Sequence, residues 1–197
     1  MEFFVNTEKI DVQIEGEKTV GDVLSSFAKE CDANKAAVIG IKVNGKQITA
    51  DIFDKESEEF LSNDTKFEFD VITEYAIKES FLKLSELFDT LSDEVEEVPS
   101  KYMNGKASEA NEIIKSLADS IDHFCHIAAL ASLFPETFTN TSIDGKNFSD
   151  FFEEFSPILT DFEQALQNND TVLVGDLCEY EICPRLKAIA LALKKQN

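Results

Sequence analysis

The sequence predicts an α+β protein with two domains, a mixed domain of strands and helices over residues 1–73 and a helical domain over residues 74–197. Short alternating apolar runs, separated by turn signals, occupy the first part, and this pattern is typical of strands. In the second part, apolar residues recur every three or four positions, which is typical of amphipathic helices. The change of period near residue 73 therefore predicts the domain boundary.

The N-terminal part predicts a hairpin, a helix, a second hairpin, a short helix and a final strand. Thr19 is the expected N-cap of the first helix. Asn44-Gly45 predicts a tight hairpin, because a type I′ turn requires positive φ at both central residues. The predicted elements are strands at 2–5 and 10–14, a helix at 20–33, strands at 37–43 and 46–49, a short helix or loop at 52–61, and a strand at 66–72.

This order of elements resembles the β-grasp fold of ubiquitin. The opening residues Met1-Glu2-Phe3-Phe4-Val5 are similar to ubiquitin's first strand, and Val43-Asn44-Gly45-Lys46-Gln47-Ile48 is similar to its Gly-Lys-Gln hairpin. The chain departs from ubiquitin in two ways. It continues past this region without Gly-Gly, so the resemblance does not imply conjugation. Lys42 stands where ubiquitin has the isoleucine of its main binding patch, so use of that patch is not implied either.

Four amphipathic helices are predicted in the second part, and they suggest an antiparallel four-helix bundle. The helices are expected from residue 77 to about 95, at about 106–133, from Ser149 or Asp150 to 166 with a kink or break at Pro157, and at about 171–195. A kink is expected between Tyr180 and Pro184, because proline removes a helix hydrogen bond. The first helix carries an apolar seam of Ile77, Phe81, Leu84, Phe88, Leu91 and Val95.

The apolar faces of the later helices are expected to form the rest of the core. The second helix carries Ala110, Ile114, Leu117, Ile121, Phe124, Ala128 and Ala131. The third carries Phe148, Phe152, Phe155, Leu159, Phe162 and Leu166. The fourth carries Leu173, Leu177 and Tyr180 before Pro184, and Leu186, Ile189 and Leu193 after it. Residues 135–147 predict a mostly polar loop, either an interaction element or an ordinary connector.

The charge of the chain restricts its partners. The sequence has 39 acidic and 18 basic side chains and a formal net charge of −21, divided as −8 and −13 between the two domains. Binding to nucleic acid or to anionic lipid requires a basic surface. We therefore expect no nucleic-acid or membrane partner, and instead a protein with a basic or apolar face. The first ten residues do not resemble a signal peptide, so a cytoplasmic location is expected.

Residues 172–186 are the most distinctive segment, and they resemble a segment of uncharacterised bacterial helical proteins, whose function would not transfer. Three acids and the only arginine of the chain fall within ten residues. Glu181 and Arg185 are four residues apart, a spacing that favours an ion pair on a helix. The segment is either a kinked helix stabilised by that pair or a partner-binding surface. The candidate binding residues are Asp176, Glu179, Tyr180, Glu181 and Arg185.

Catalytic motifs are not evident in the sequence. Neither a G-x-G-x-x-G loop nor a P-loop occurs, and the only two histidines, His123 and His126, lie in the middle of a predicted helix. One alternative is a metal- or thiol-dependent protein in which these histidines join Cys178 and Cys183 in a zinc site. The spacing argues against it, because two residues five positions apart on a helix point about 140° apart. We predict no catalytic residue and no cofactor.

The sequence therefore predicts a non-enzymatic, bacterial and cytoplasmic protein-interaction module. Its partner would be a protein with a basic or apolar surface, and its oligomeric state stays open. Secretion and flagellar export chaperones are often small, acidic and helical. By that analogy, a chaperone for a basic or aggregation-prone client is one form that the adaptor could take.

Overall fold

A computed structural model describes residues 1–196 and divides the chain into two compact units. The N-terminal unit extends from Met1 to Ala76, and the helical unit begins at Ile77. The N-terminal unit contains a five-stranded mixed sheet, and helices follow it. The predicted α+β class is confirmed. Within residues 1–196, no helix is both long enough and apolar enough to cross a membrane.

The sheet of the N-terminal unit has the strand order β2-β1-β5-β3-β4. The first and last strands run parallel, and the other neighbouring pairs are antiparallel. The first and last strands of this unit, β1 and β5, therefore pair with each other in the middle of the sheet. The strands are β1 (Glu2–Val5), β2 (Glu8–Ile10), β3 (Ala36–Val43), β4 (Lys46–Gln47) and β5 (Lys66–Thr73).

The strand predicted at 10–14 is wrong in its position. Asn6 and Thr7 form a two-residue turn with φ of 48° and 73°, so that β2 begins at Glu8 and ends at Ile10. The side chain of Asn6 fixes this turn to β5, because its Oδ1 accepts from the Val71 amide at 2.8 Å and its Nδ2 donates to the Val71 carbonyl at 3.0 Å. Residues 11–14 lie outside the sheet.

Two local predictions in this unit are confirmed. Helix α1 (Val20–Ala33) begins after Thr19, whose side chain accepts from the Asp22 amide while the Asp22 carboxylate accepts from the Thr19 amide. This reciprocal pair is a capping box. The Asn44-Gly45 turn has φ of 52° and 79° and joins β3 to β4. The region predicted as a short helix or loop at 52–61 forms a short helix, α2 (Ala50–Ser57).

The core of the N-terminal unit lies between α1 and one face of the sheet. Phe67 is fully buried, stacks on Phe3 at 5.0 Å between ring centroids, and neighbours Phe69 on β5. Phe27 of α1 stacks on Phe69 at 3.9 Å. Because successive strand residues point to opposite faces, Lys66 lies on the other face. This second face carries charged side chains.

The helical unit contains more helices than the four predicted. Two short helices occupy connections for which the sequence predicts no helix, and each has a proline in its first turn, where a missing N–H is tolerated. The helices are α3 (Glu74–Glu96, which begins in the N-terminal unit), α4 (Val98–Met103), α5 (Ala107–Ala131), α6 (Pro135–Phe138), α7 (Phe148–Gln167), α8 (Thr171–Leu177) and α9 (Cys183–Lys194).

Two expectations about this unit need correction. Residues 135–147 are not a simple polar loop, because they include α6 and bury Phe138 and Ile143 in the core. Helix α7 begins after Asn147, whose side chain accepts from the Asp150 amide at 2.9 Å, and it continues through Pro157 without a break. The N-cap thus lies before both residues that the sequence favoured.

The core of the helical unit forms around α3 and α9. The predicted seam of α3 is confirmed, since all six of its residues are at most 1% exposed. Helix α9 buries seven of its twelve residues, three of which are alanines. The hydroxyl of Ser85 on α3 donates to the Ala190 carbonyl at 2.8 Å, and the thiol of Cys183 donates to the Ser92 carbonyl at 3.2 Å.

Replacing Phe67 with alanine should destabilise the N-terminal unit by about 3–5 kcal/mol, because it leaves a cavity in a closely packed core. Phe60 is 83% exposed, so the matched variant Phe60→Ala should change the free energy of unfolding by no more than about 0.5 kcal/mol. Urea dependence of amide hydrogen exchange in residues 1–76 measures both. Equal effects of the two substitutions would show that this core is placed wrongly.

Candidate functional site

The predicted binding segment consists of α8, a π-helical turn (Cys178–Ile182, here the π turn) and α9. The amide of Cys183 donates to the carbonyl of Cys178, five residues earlier. An α-helix would use the carbonyl four residues earlier. The sequence predicts a kink between Tyr180 and Pro184, and the structure has the π turn at this place instead. Such turns are frequent at functional sites.

The π turn changes which face of the segment is buried. The sequence predicts a buried face with Leu173, Leu177 and Tyr180, but Tyr180 is 64% exposed and Leu173 is 40% exposed. On a regular α-helix, residues at four-residue spacing shift around the helix axis by about 40° per step. The wider π turn takes up this rotation, so a row at four-residue spacing stays in the core. That row is Val174, Cys178, Ile182 and Leu186.

The opposite face of α8 and the π turn points to solvent. Tyr180 and Val172 provide apolar area there, and Val172 is 73% exposed. Hydrogen bonding of the Tyr180 hydroxyl to Glu179, with the nearby charge of Asp176, raises the pKa of Tyr180. No basic residue occurs within 171–182. We call this face the α8 surface, which comprises Val172, Leu173, Asp176, Glu179 and Tyr180.

Glu181 and Arg185 have partners within the chain. Nη1 of Arg185 donates to Oε2 of Glu181 at 2.6 Å and to the Glu181 carbonyl at 2.9 Å. The guanidinium carbon also lies 6.0 Å from the ring centroid of Phe155 on α7. These contacts fix the end of the π turn against α7. Of the five predicted binding residues, three therefore lie on the α8 surface and two stabilise the backbone beneath it.

The four residues of the alternative metal site are not brought together. His123 and His126 are exposed on α5, whereas Cys178 and Cys183 are buried. Among residues 1–196, no group of three or more His, Cys, Asp and Glu side chains is placed to hold a metal ion. The alternative zinc site is therefore wrong, because the structure does not bring its four residues together.

The buried thiols are also poorly suited to nucleophilic chemistry. Burial raises the pKa of Cys178 to about 12, and the neighbouring Cys183 adds to this shift. Burial likewise raises the pKa of Cys183 to about 11, with a smaller contribution from the charge of Glu96. Since the thiolate is the reactive form, both groups are almost fully protonated and inert near neutral pH.

A groove that the sequence analysis missed lies between α5 and α7. Its volume is about 420 Å³, and its only charged lining residues are Asp122 and Glu163. Ile114, Ile121 and Leu159 belong to the predicted core-facing stripes, yet the structure leaves them half-buried along the groove. The lining residues are Ile114, Leu117, Ala118, Ile121, Asp122, Cys125, Leu159, Phe162, Glu163 and Leu166.

Two family descriptions match different parts of the chain. The TP0873 N-terminal domain matches residues 1–73, and the domain of unknown function DUF8042 matches residues 79–191, which is more than half of the chain. The chain belongs to the DUF8042 family. The matched region of this DUF8042 protein contains the α8 surface and both helices of the groove, so both candidate sites lie within the family domain.

One relative of this DUF8042 protein covers both units. An uncharacterized protein of Treponema pallidum (strain Nichols) is 23% identical over 190 residues, which span 96% of this chain and 94% of that protein. The similarity therefore extends across the sequence of both units. No solved structure matches the chain.

The four cysteines should differ sharply in reactivity. Of these, Cys125 is exposed, whereas Cys31, Cys178 and Cys183 are buried. At pH 8, the thiolate fractions of Cys178 and Cys183 are about 10⁻⁴ and about 10⁻³. Alkylation of the native protein followed by mass spectrometry should modify one cysteine, Cys125, and should modify four in urea. Rapid native modification of Cys183 would contradict the packing of α9 against α3.

Replacing Arg185 with alanine should destabilise the helical unit by about 1–3 kcal/mol, because two charge-assisted hydrogen bonds at the π turn are lost. Lys187 is the control. Its ammonium lies 3.6 Å from Asp93 in an exposed pair, so Lys187→Ala should change the free energy of unfolding by less than about 0.5 kcal/mol. Urea unfolding of both variants gives the comparison. An equal loss of stability in the two variants would show that the contacts of Arg185 do not stabilise the π turn.

Proposed function

We propose that this DUF8042 protein is a non-enzymatic protein-interaction module, an adaptor or chaperone, that binds a basic segment of a partner protein through the α8 surface. The observation that carries the proposal is the composition of this surface. It exposes Tyr180 and two aliphatic residues beside acids, in a stretch of twelve residues, 171–182, without a basic side chain.

The chemistry of the surface indicates the class of partner. Tyrosine combines a large apolar ring with a polar hydroxyl, and it is enriched among the residues that dominate binding energy in interfaces. Acidic side chains around such an anchor attract a basic segment and accelerate the encounter. Nucleic acid and anionic lipid carry the same sign of charge as this protein and are disfavoured. A protein segment with Lys or Arg beside apolar residues satisfies both requirements.

We also propose finer assignments for the two units. A ubiquitin-like β-grasp fold for the N-terminal unit is supported by the central parallel pair of β1 and β5, and by α1, which follows the first hairpin. An antiparallel four-helix bundle is the proposed arrangement of α3, α5, α7 and the α8–α9 segment. We propose a cytoplasmic location as well.

Reversal of two charges tests the α8 surface. Asp176→Lys with Glu179→Lys should abolish recovery of the dominant partner in a quantitative pull-down with the full chain, because a basic partner would then face lysines. Glu181 is left unchanged, since its carboxylate pairs with Arg185.

The matched control is Glu86→Lys with Asp89→Lys, which makes the same change of net charge on exposed positions of α3. The control should recover the partner as the unmodified chain does. If both double variants lose the partner equally, net charge alone governs binding. If both retain it, the α8 surface is not the binding site.

A further inference from the structure

The groove between α5 and α7 exposes apolar side chains that a helix of this kind normally buries. Ile114, Ile121, Leu159 and Leu166 are half-buried, although they belong to the apolar stripes of long amphipathic helices. The stripes are therefore wider than the core of the helical unit requires. Concave apolar sites with a few polar groups at the edge are the usual form of binding sites.

The two charged side chains that line this groove, Asp122 and Glu163, are both acidic. Helices α5 and α7 together carry nine acidic side chains and one basic side chain, Lys115, which does not line the groove. Asp122 lies at the edge on α5 and Glu163 lies at the edge on α7. An occupant of the groove therefore meets apolar side chains along its centre and carboxylates on both sides.

The dimensions of the groove suit a helix. On α5, its lining extends from Ile114 to Cys125, and the eleven intervening steps correspond to about 16 Å, or three helical turns. A helix of three turns presents apolar side chains at spacings of three and four residues, which is how helices bind apolar grooves. Its remaining positions would face the carboxylates on both sides.

Charge disfavours two other occupants. A second copy of this chain would bring acidic helices against acidic helices, and a fatty acid would place its carboxylate beside Asp122 and Glu163. We propose that the α5–α7 groove binds a basic amphipathic helix of a partner protein. The groove shares no residue with the α8 surface, so this inference goes beyond the proposed function and gives the adaptor a second docking site.

A synthetic peptide provides a probe of defined chemistry. An 18-residue peptide of leucine and lysine, with leucine at helical spacing and a fluorescein label, should bind the full chain in 0.15 M salt. A peptide with the same composition in scrambled order, and one with glutamate in place of lysine, should bind at least about tenfold more weakly. Fluorescence anisotropy measures the three dissociation constants.

Two kinds of variant locate the binding site. Asp122→Lys with Glu163→Lys should weaken binding of the leucine–lysine peptide at least about tenfold, because attraction at both edges becomes repulsion. Glu112→Lys with Asp119→Lys makes the same change of net charge on α5 outside the groove, and should alter binding by no more than about twofold. Ala118→Trp fills the groove without changing charge and should also weaken binding strongly.

Cys125 provides a direct footprint, because it lines the groove and is the exposed cysteine of the four. Saturating leucine–lysine peptide should slow its alkylation at least about fivefold, while the scrambled peptide should not. Circular dichroism checks that each variant folds.

The proposal is overturned if the scrambled peptide binds equally, if the control pair weakens binding as much as the groove pair, or if Cys125 stays unprotected at saturation. The Asp176→Lys, Glu179→Lys variant separates the two surfaces. It should bind the peptide at the groove like the unmodified chain, so failure at the α8 surface and failure at the groove give different results.

Discussion

The hydrogen bond from the Cys183 amide to the Cys178 carbonyl determines how the C-terminal segment packs. The wide turn that it closes keeps Val174, Cys178, Ile182 and Leu186 in one buried row at four-residue spacing. The same turn directs Tyr180 and its acidic neighbours to solvent. The α8 surface therefore results from the way the buried row packs into the core. Arg185 holds the turn from the side of α7.

The strong negative charge of this protein opposes self-association through its exposed apolar side chains. Exposed apolar patches normally favour self-association. Here the two patches, at Tyr180 and along the groove beside Leu159, lie among carboxylates, so two copies repel each other before the patches meet. A partner with basic side chains is instead attracted to the same carboxylates. Charge and exposed apolar area together thus define one class of partner, which neither would define alone.

Local signals predicted much of the fold. The Thr19 N-cap, the Asn44-Gly45 turn and the periodic seam of α3 depend on neighbouring residues, and all three are confirmed. Features that depend on tertiary contacts were missed. The Asn6-Thr7 turn is one example, since threonine has no preference for positive φ and the turn is held by hydrogen bonds to β5. The connection at 135–147 is ordered because Phe138 and Ile143 reach the core. The groove requires two helices side by side, which no single stripe reveals.

The hydrogen bond of the π turn can be measured directly. Scalar coupling across hydrogen bonds, measured by nuclear magnetic resonance on the deuterated full chain, identifies which carbonyl accepts from a given amide. We predict a coupling between the amide nitrogen of Cys183 and the carbonyl carbon of Cys178. A coupling to the carbonyl carbon of Glu179 would indicate a regular α-helix, which would turn the buried row away from the core and contradict the account.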